Sequence, residues 1–328
     1  MFRFRTRAFS LIAVGLVACA GLVLWYRATL VPKPHVAYGV TFSTLYAKEL
    51  GLDWKQAYLA TLDDLGVRKL RLPVYWDAVE AKKGAYDWSE VDWMLEEAAK
   101  RDADVILAVG RKTPRWPECH VPGWAASLEK DAQDAQTLRF LAAEIEHFKR
   151  APAVKTWQVE NEPLFRFGKC PEPDRELLKR EVSLVRESDP RPVMLTDSGE
   201  LSTWIRTGTL SDVLGISMYR LVWNNELGEL YWPVSPLYYA DRMSLLKPVV
   251  KKIIVSELQA EPWFRKPVEE TPISEQLEQM NPERLKQNVR FASSSSVSEV
   301  YLWGVEWWYW LARHEHPELW ETSKAFFK

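Results

Sequence analysis

The sequence lacks most devices by which enzymes hold metals, phosphates or activated serines. Its five histidines include His314-x-His316, but no cysteine or acidic residue joins that pair at ligand spacing, so no metal site is expected. There is no Gly-rich phosphate loop and no G-x-S-x-G elbow, which removes the common nucleotide-binding and serine-hydrolase arrangements. Net charge is only −2, without the basic surplus that nucleic-acid binding needs. No repeat of the solenoid kind occurs. Nothing calls for a cofactor or an obligate protein partner.

Tryptophan is abundant, with 17 in 328 residues. Indole faces pack on the C–H faces of sugar rings, and Trp is enriched at binding sites. So many cannot all meet a ligand, and most are expected in the core. Hydrophobic residues make up 47% and charged residues 27%, which suits a globular domain with a substantial core.

The N-terminus has a character of its own. Arg3, Arg5 and Arg7 precede an uncharged stretch over 8–26. As a helix, ~19 residues at ~1.5 Å each roughly cross a bilayer core. The arginines favour an N-inside orientation, with Trp25 and Tyr26 at the far interface. Residues 1–29 thus read as an uncleaved signal anchor, a transmembrane segment at about 8–26, and 30–36 as a short Pro-containing tether. Two other readings stand beside it. Leu16-Val17-Ala18-Cys19 resembles a lipobox, and Ala18-Cys19-Ala20 resembles a small-residue cleavage site. All three put residues 37–328 outside the cytoplasm, in the periplasm or beyond the cell.

From residue 37 strand-like and helix-like patterns alternate, as in a parallel sheet with helices outside. Strands are expected near 37–42, 67–72, 103–109, 153–159, 192–196, 213–218, 251–257 and 300–303. Helices are expected near 54–65, 89–101, 133–150, 174–187, 238–246, 282–292 and 317–327, with Ser89 as an N-cap and Gly66 as a C-cap. Eight units of about 36 residues match an α/β fold of the (β/α)8 TIM-barrel type.

Two strand ends carry the chemistry. Trp157-Gln158-Val159-Glu160-Asn161-Glu162-Pro163 is an apolar run ending in an amide, a carboxylate and a proline that cannot continue a ladder. Lys251-Lys252-Ile253-Ile254-Val255-Ser256-Glu257 also ends in a glutamate. In parallel α/β folds such tips face the ligand. Two tip carboxylates are the minimum equipment for retaining glycoside hydrolysis.

Trp-Gln-Val-x-Asn-Glu-Pro resembles the strand-4 signature of the clan of retaining (β/α)8-barrel glycoside hydrolases that includes cellulases, mannanases and β-galactosidases. The resemblance does not assign a family within the clan. It implies an oligo- or polysaccharide substrate, Glu162 as general acid/base and Glu257 as nucleophile. It further implies that Arg71, at the end of strand 2, faces the nucleophile, where a fixed cation favours the ionised form. By the same resemblance Asn161 binds the sugar 2-hydroxyl, Tyr219 hydrogen-bonds the nucleophile, and Trp303 floors the −1 subsite. Trp307 and Trp263 are further candidates for sugar contact, and Trp76, Trp116 and Trp263 are expected on the catalytic face. The segment from Trp76 to Trp88 resembles the clan's loop after strand 2 and reads as structural.

Arg111, Lys112 and Arg115 make the loop after strand 3 basic, fit either to bind an anionic sugar or to balance the site's carboxylates. Cys119 and Cys170 fall in neighbouring loops on the same face, so an exported domain is expected to join them in a disulfide. The chain departs from many clan members at Gly110-Arg111-Lys112 and Ser217-Met218-Tyr219, where His or Asn would be usual, so substrate specificity does not transfer. Two alternatives share these features. One is a non-catalytic carbohydrate-binding barrel at the cell surface, and the other is a transglycosylase using the same glutamates.

Overall fold

The structure, a computed structural model, describes residues 35–328 apart from 225 and 227, together with residues 17 and 21. The anchor expected at 8–26 otherwise lies outside the described residues. Among the described residues no helix is long and apolar enough to cross a membrane.

Eight strands form the wall of the domain: β1 (Ala37–Thr41), β2 (Lys69–Pro73), β3 (Asp104–Val109), β4 (Val154–Val159), β5 (Val193–Asp197), β6 (Val213–Met218), β7 (Lys252–Gln259) and β8 (Glu299–Trp303). Each pairs in parallel with the next, and β8 pairs with β1, closing the barrel. The expected fold class is therefore found. Eight helices follow the strands in turn: α1 (Trp54–Asp63), α2 (Ser89–Ala99), α3 (Lys130–Phe148), α4 (Arg175–Ser188), α5 (Ile205–Gly208), α6 (Pro236–Leu246), α7 (Pro282–Ser293) and α8 (Val305–Arg313).

Local chemistry sets the helix starts. Asp53, Asp174 and Asn281 cap α1, α4 and α7 through their side chains, each accepting two backbone N–H groups. Ser89 is not the cap expected of it. It is the first helical residue, and its N–H donates to Asp87 Oδ1 at 3.0 Å. Gly66 lies just beyond α1 with φ +76°, the left-handed conformation that stops a helix. Several elements were not expected from the sequence, among them α5 and the short helices Thr44–Glu49, Trp76–Val79, Gly123–Ala126 and Ile273–Gln279. Another is α8, whose buried Val305, Trp307, Trp308 and Leu311 follow helical spacing. So is an antiparallel hairpin of Leu221–Asn224 and Gly228–Tyr231.

Strand alternation separates two cores. Outward side chains such as Leu70, Leu72, Val105, Leu107, Trp157 and Val159 join the large core under the helices. Inward ones form a small cluster of Ile106, Met194, Ile254 and Tyr301 inside the barrel. Above it, toward the C-terminal ends of the strands, the interior turns polar. Strand β7 breaks alternation once. Ile216 pairs with Val255 and Ser217 with Glu257, so one extra residue, Ser256, is accommodated as a bulge. The strand then runs past Glu257 to Gln259, two residues further than expected.

Candidate active site

Arg71 organises the mouth of the barrel. Its side chain is fully buried. Nε donates to Gln158 Oε1 at 2.6 Å, one terminal nitrogen to Glu257 Oε1 at 2.7 Å, and the other to Asn161 Oδ1 at 2.7 Å. One planar cation thereby ties β2 to the tips of β4 and β7. Tyr219, just after β6, donates to the other Glu257 oxygen at 3.1 Å. Burial, and then the Glu257 charge, hold the Tyr219 hydroxyl protonated well above its usual range. Both Glu257 oxygens are thus held, one by a donor from β2 across the barrel and one by a donor just after the adjacent β6.

The tip of β4 has an unusual backbone. Glu160 and Glu162 both adopt positive φ, 58° and 43°, which costs a non-glycine residue on the order of 1–3 kcal/mol. Hydrogen bonds hold the turn. Asn161 N donates to Lys112 O at 2.5 Å, and Glu162 N donates to Thr196 Oγ1 at 2.7 Å. Lys112 Nζ donates to the backbone oxygens of Glu162 and Phe165 at 3.0 and 2.9 Å. The result sends Glu162 into the mouth, where its Oε1 accepts from Ser217 Oγ at 2.9 Å. Burial, then the charges of Glu257 and Glu118, push its pKa up to about 8.

Glu118 is the residue that sequence reasoning missed. It sits in the loop after β3 with φ +74°, is only 6% exposed, and its Oε2 accepts from Asn161 Nδ2 at 2.9 Å. Burial, then Glu257, push its pKa up to about 7. The adjacent Cys119 forms a disulfide with Cys170, with Cα atoms 5.2 Å apart, as expected. Gly168 presses from the other loop. With φ +84°, a Cβ there would meet Glu118 Cβ at 2.6 Å. The one sequence signal was adjacency to a cysteine expected to be bridged.

The aromatic candidates divide. Trp263 is half-buried and stands edge-on to Tyr219, with centroids 5.2 Å apart. Phe167 reaches Trp263 from one side and Trp116, which is 56% exposed, from the other. These three form an open rim leading down to Tyr219. Trp303 is nearly buried. Its Nε1 donates to Glu261 Oε1 at 2.7 Å, and the Arg115 guanidinium lies 4.1 Å from its ring centroid. Trp307 is a correction. It is fully buried in α8 with its Nε1 on Gln276 Oε1, and presents no surface to a ligand. Trp76 is another, stacked on Phe140 among the helices rather than in the mouth.

The basic loop is spent on the protein itself. Arg115 pairs with Glu261 and Glu306, Arg111 with Asp134, and Lys112 holds the two carbonyls already named. The balancing reading fits this geometry, and none of the three offers a free cation head to an anionic sugar.

Behind β4 lies a second group of acids. Glu160 accepts from the backbone N–H of Arg111 and Lys112 at 2.7 and 2.6 Å, and Glu144 accepts from Gly110 N at 3.0 Å. Glu181 of α4 joins them. Burial raises all three, and for Glu181 the Glu160 charge adds to it. Glu144 Oε1 and Glu181 Oε1 are buried without a partner. A cavity of about 230 Å³ lies beside this group, lined by Arg111, Glu160, Phe165, Glu181 and the disulfide.

No family model matches the chain, and no curated protein matches it by sequence. Solved structures match its fold. One is a β-galactosidase from Bacillus circulans sp. alkalophilus, with TM-score 0.61 and 12% identity over 90% of this chain and 55% of that one. Another is a β-galactosidase from the Antarctic haloarchaeon Halorubrum lacusprofundi, with TM-score 0.56 and 15% identity over 81% and 52%. A third is xylanase 10B from Thermotoga petrophila RKU-1, with TM-score 0.57 and 14% identity over 84% of each chain. The chain spans about half the length of the two β-galactosidases. At such identities the likeness shows the barrel fold.

Proposed function

We propose that the domain is a retaining glycoside hydrolase acting on an oligo- or polysaccharide. The observation that carries this reading is the unequal environment of two carboxyl groups in one mouth. Glu162 is buried and keeps its proton up to about pH 8. Glu257 has both oxygens engaged by Arg71 and Tyr219. Paired acids set apart by environment are how one site runs acid and base chemistry at neutral pH.

In this mechanism Glu162 gives its proton to the glycosidic oxygen as Glu257 attacks the anomeric carbon. The bond to the leaving group breaks, and a glycosyl ester forms on Glu257. Glu162 then takes a proton from water, which attacks the same carbon and releases sugar with retained configuration. The two carboxyl groups must stand ~5–5.5 Å apart for this. Asn161 meets the 2-hydroxyl, and the rim of Trp263, Phe167 and Trp116 receives the rest of the chain. The named glycosidase activities of the fold neighbours support the reading.

The test is covalent labelling with cyclophellitol epoxides and aziridines of several sugar configurations, read by intact mass and peptide mapping. A mass gain on the peptide holding Glu257 is expected. No label with any probe, together with sugar binding but no product release, would establish the non-catalytic barrel instead. Product analysis with added acceptor sugars separates hydrolysis from transfer, since both pass through the same ester.

We also place the domain outside the cytoplasm, held by its N-terminal segment. The three arginines before an uncharged stretch and the Cys119–Cys170 disulfide support this. Cell fractionation with protease accessibility checks it, and a protected cytosolic domain would refute it.

A further inference from the structure

We propose that Glu118 reads the substituent on carbon 2 of the reacting sugar and selects a glycone with a protonated amine there. This rests on the hydrolase reading, including the placing of the Asn161 amide at carbon 2.

The orientation of that amide is fixed. Its Oδ1 accepts from Arg71, from Thr196 Oγ1 at 3.1 Å and from Gln158 Nε2 at 3.3 Å. Its Nδ2 edge is therefore the edge left for a ligand, and that edge already donates to Glu118 Oε2 at 2.9 Å. A group arriving at Asn161 Nδ2 comes to rest beside a carboxylate. Glu118 is placed there firmly, between a left-handed backbone, the close approach of Gly168 and the neighbouring disulfide.

The charges nearby point the same way. Arg71 is engaged by Glu257, Arg115 by Glu261 and Glu306, and Lys112 by backbone oxygens. Glu118 and Glu257 share the mouth with Glu162, and the charge of each raises the proton affinity of Glu162. An ammonium on the sugar would meet these acids and form a charge-assisted hydrogen bond with Glu118. An acetamido group would offer Glu118 a neutral N–H, without the charge. A hydroxyl binds there without the charge. Hydrogen bonds to charged groups correspond to roughly tenfold to hundredfold discrimination. The raised proton affinity of Glu118 is consistent with this, since burial and the Glu257 charge outweigh the Asn161 hydrogen bond and the charges of Lys112 and Arg71, and a bound cation would add to the latter.

The experiment compares kcat/KM for matched aryl 2-amino-2-deoxyglycosides, 2-hydroxy glycosides and 2-acetamido glycosides, in gluco and galacto series. It uses the wild-type domain and Glu118→Gln. The amine-over-hydroxyl ratio in the wild type, divided by that in the variant, cancels the intrinsic reactivity of each substrate. We expect it to be about tenfold or more, and the same quotient for acetamido over hydroxyl to stay near one. Glutamine keeps an acceptor for Asn161, and Glu118→Ala serves if it does not fold. A quotient within twofold, or wild-type turnover of the hydroxyl substrate without the amine, would overturn the role of Glu118 and leave the hydrolase standing. No turnover of any substrate and no label on Glu257 would bring down the hydrolase reading, and this inference with it.

Discussion

Two clusters of three glutamates meet at the tip of β4, and they differ in what faces them. Glu118, Glu162 and Glu257 line the mouth, where Arg71 offers three well-directed donors. Glu144, Glu160 and Glu181 lie behind the strand, where backbone N–H groups do most of the holding and two oxygens go without a partner. Burial raises the proton affinity of Glu118 and Glu162 in the first cluster and of all three acids in the second. Perturbed titration alone therefore does not mark the reactive site. The difference lies in geometry. The inner acids sit at an opening rimmed by aromatic side chains, with one held protonated and another gripped at both oxygens. The outer acids fasten the loop 110–112 to β4 and shape the turn that aims Glu162.

The comparison breaks at once if the wrong cluster carries the chemistry. Glu257→Ala should lower turnover by ~10³-fold or more, with part restored by azide, while Glu181→Gln should stay within about threefold. Steady-state kinetics on one aryl glycoside decides between them, and the reverse pattern would exchange the roles of the clusters.

Next in size is the cation. Arg71→Met should cost on the order of 10²-fold in kcat/KM, and on the order of 3–5 kcal/mol of stability by leaving Glu257 without its buried partner. Urea unfolding beside kinetics would show both losses. A variant that is unstable only, with kinetics intact, would reduce Arg71 to a structural tie.

A pH profile sharpens the contrast. In the proposed mechanism Glu162 acts as an acid while protonated, so kcat/KM should fall as pH rises through about 8. Glu118 adds negative charge beside it, so Glu118→Gln should move this limb to lower pH. A limb that stays in place would mean the two acids are not coupled.

The smallest effect belongs to the outer cluster. The folded-state pKa values of Glu144, Glu160 and Glu181 are raised, so their contribution to stability is full below about pH 4.5, the unfolded value. It is lost as pH rises through the folded values. Glu181→Gln removes one of these groups and should shrink the stability lost between pH 5 and pH 8, by ~1 kcal/mol for each unit of raised pKa. Thermal melts at the two pH values test this, and an unchanged difference would show that Glu181 does not titrate with folding.

The barrel was legible because its strands are short apolar runs at regular spacing and its glutamates stand where those runs end. Arg71, Asn161 and Tyr219 were legible through the resemblance to the clan, each lying at or near the C-terminal end of a strand. Glu118 was not. It reaches the mouth through a loop whose path depends on left-handed turns and a cross-link, none of which leaves a periodic trace. Trp307 misled in the opposite sense. Its composition suggested a sugar platform, while Val305, Trp308 and Leu311 around it already had the spacing of a buried helix. The hairpin at 221–231 went unread because no tip residue drew attention to it.

The bulge in β7 bears on how Glu257 comes to face the opening at all. Ile254 points into the barrel and Val255 out, so strict even–odd counting would send Ser256 in and Glu257 out toward the helices. The extra residue changes the strand's parity halfway along. Room for it comes from β6, where a Cβ on Gly215 would lie 2.7 Å from Ser256 Oγ. The heading of Glu257 thus depends on a missing methyl group on the neighbouring strand. Gly215→Ala, which changes no charge and touches neither carboxylate, would press on the spacer that keeps the count odd.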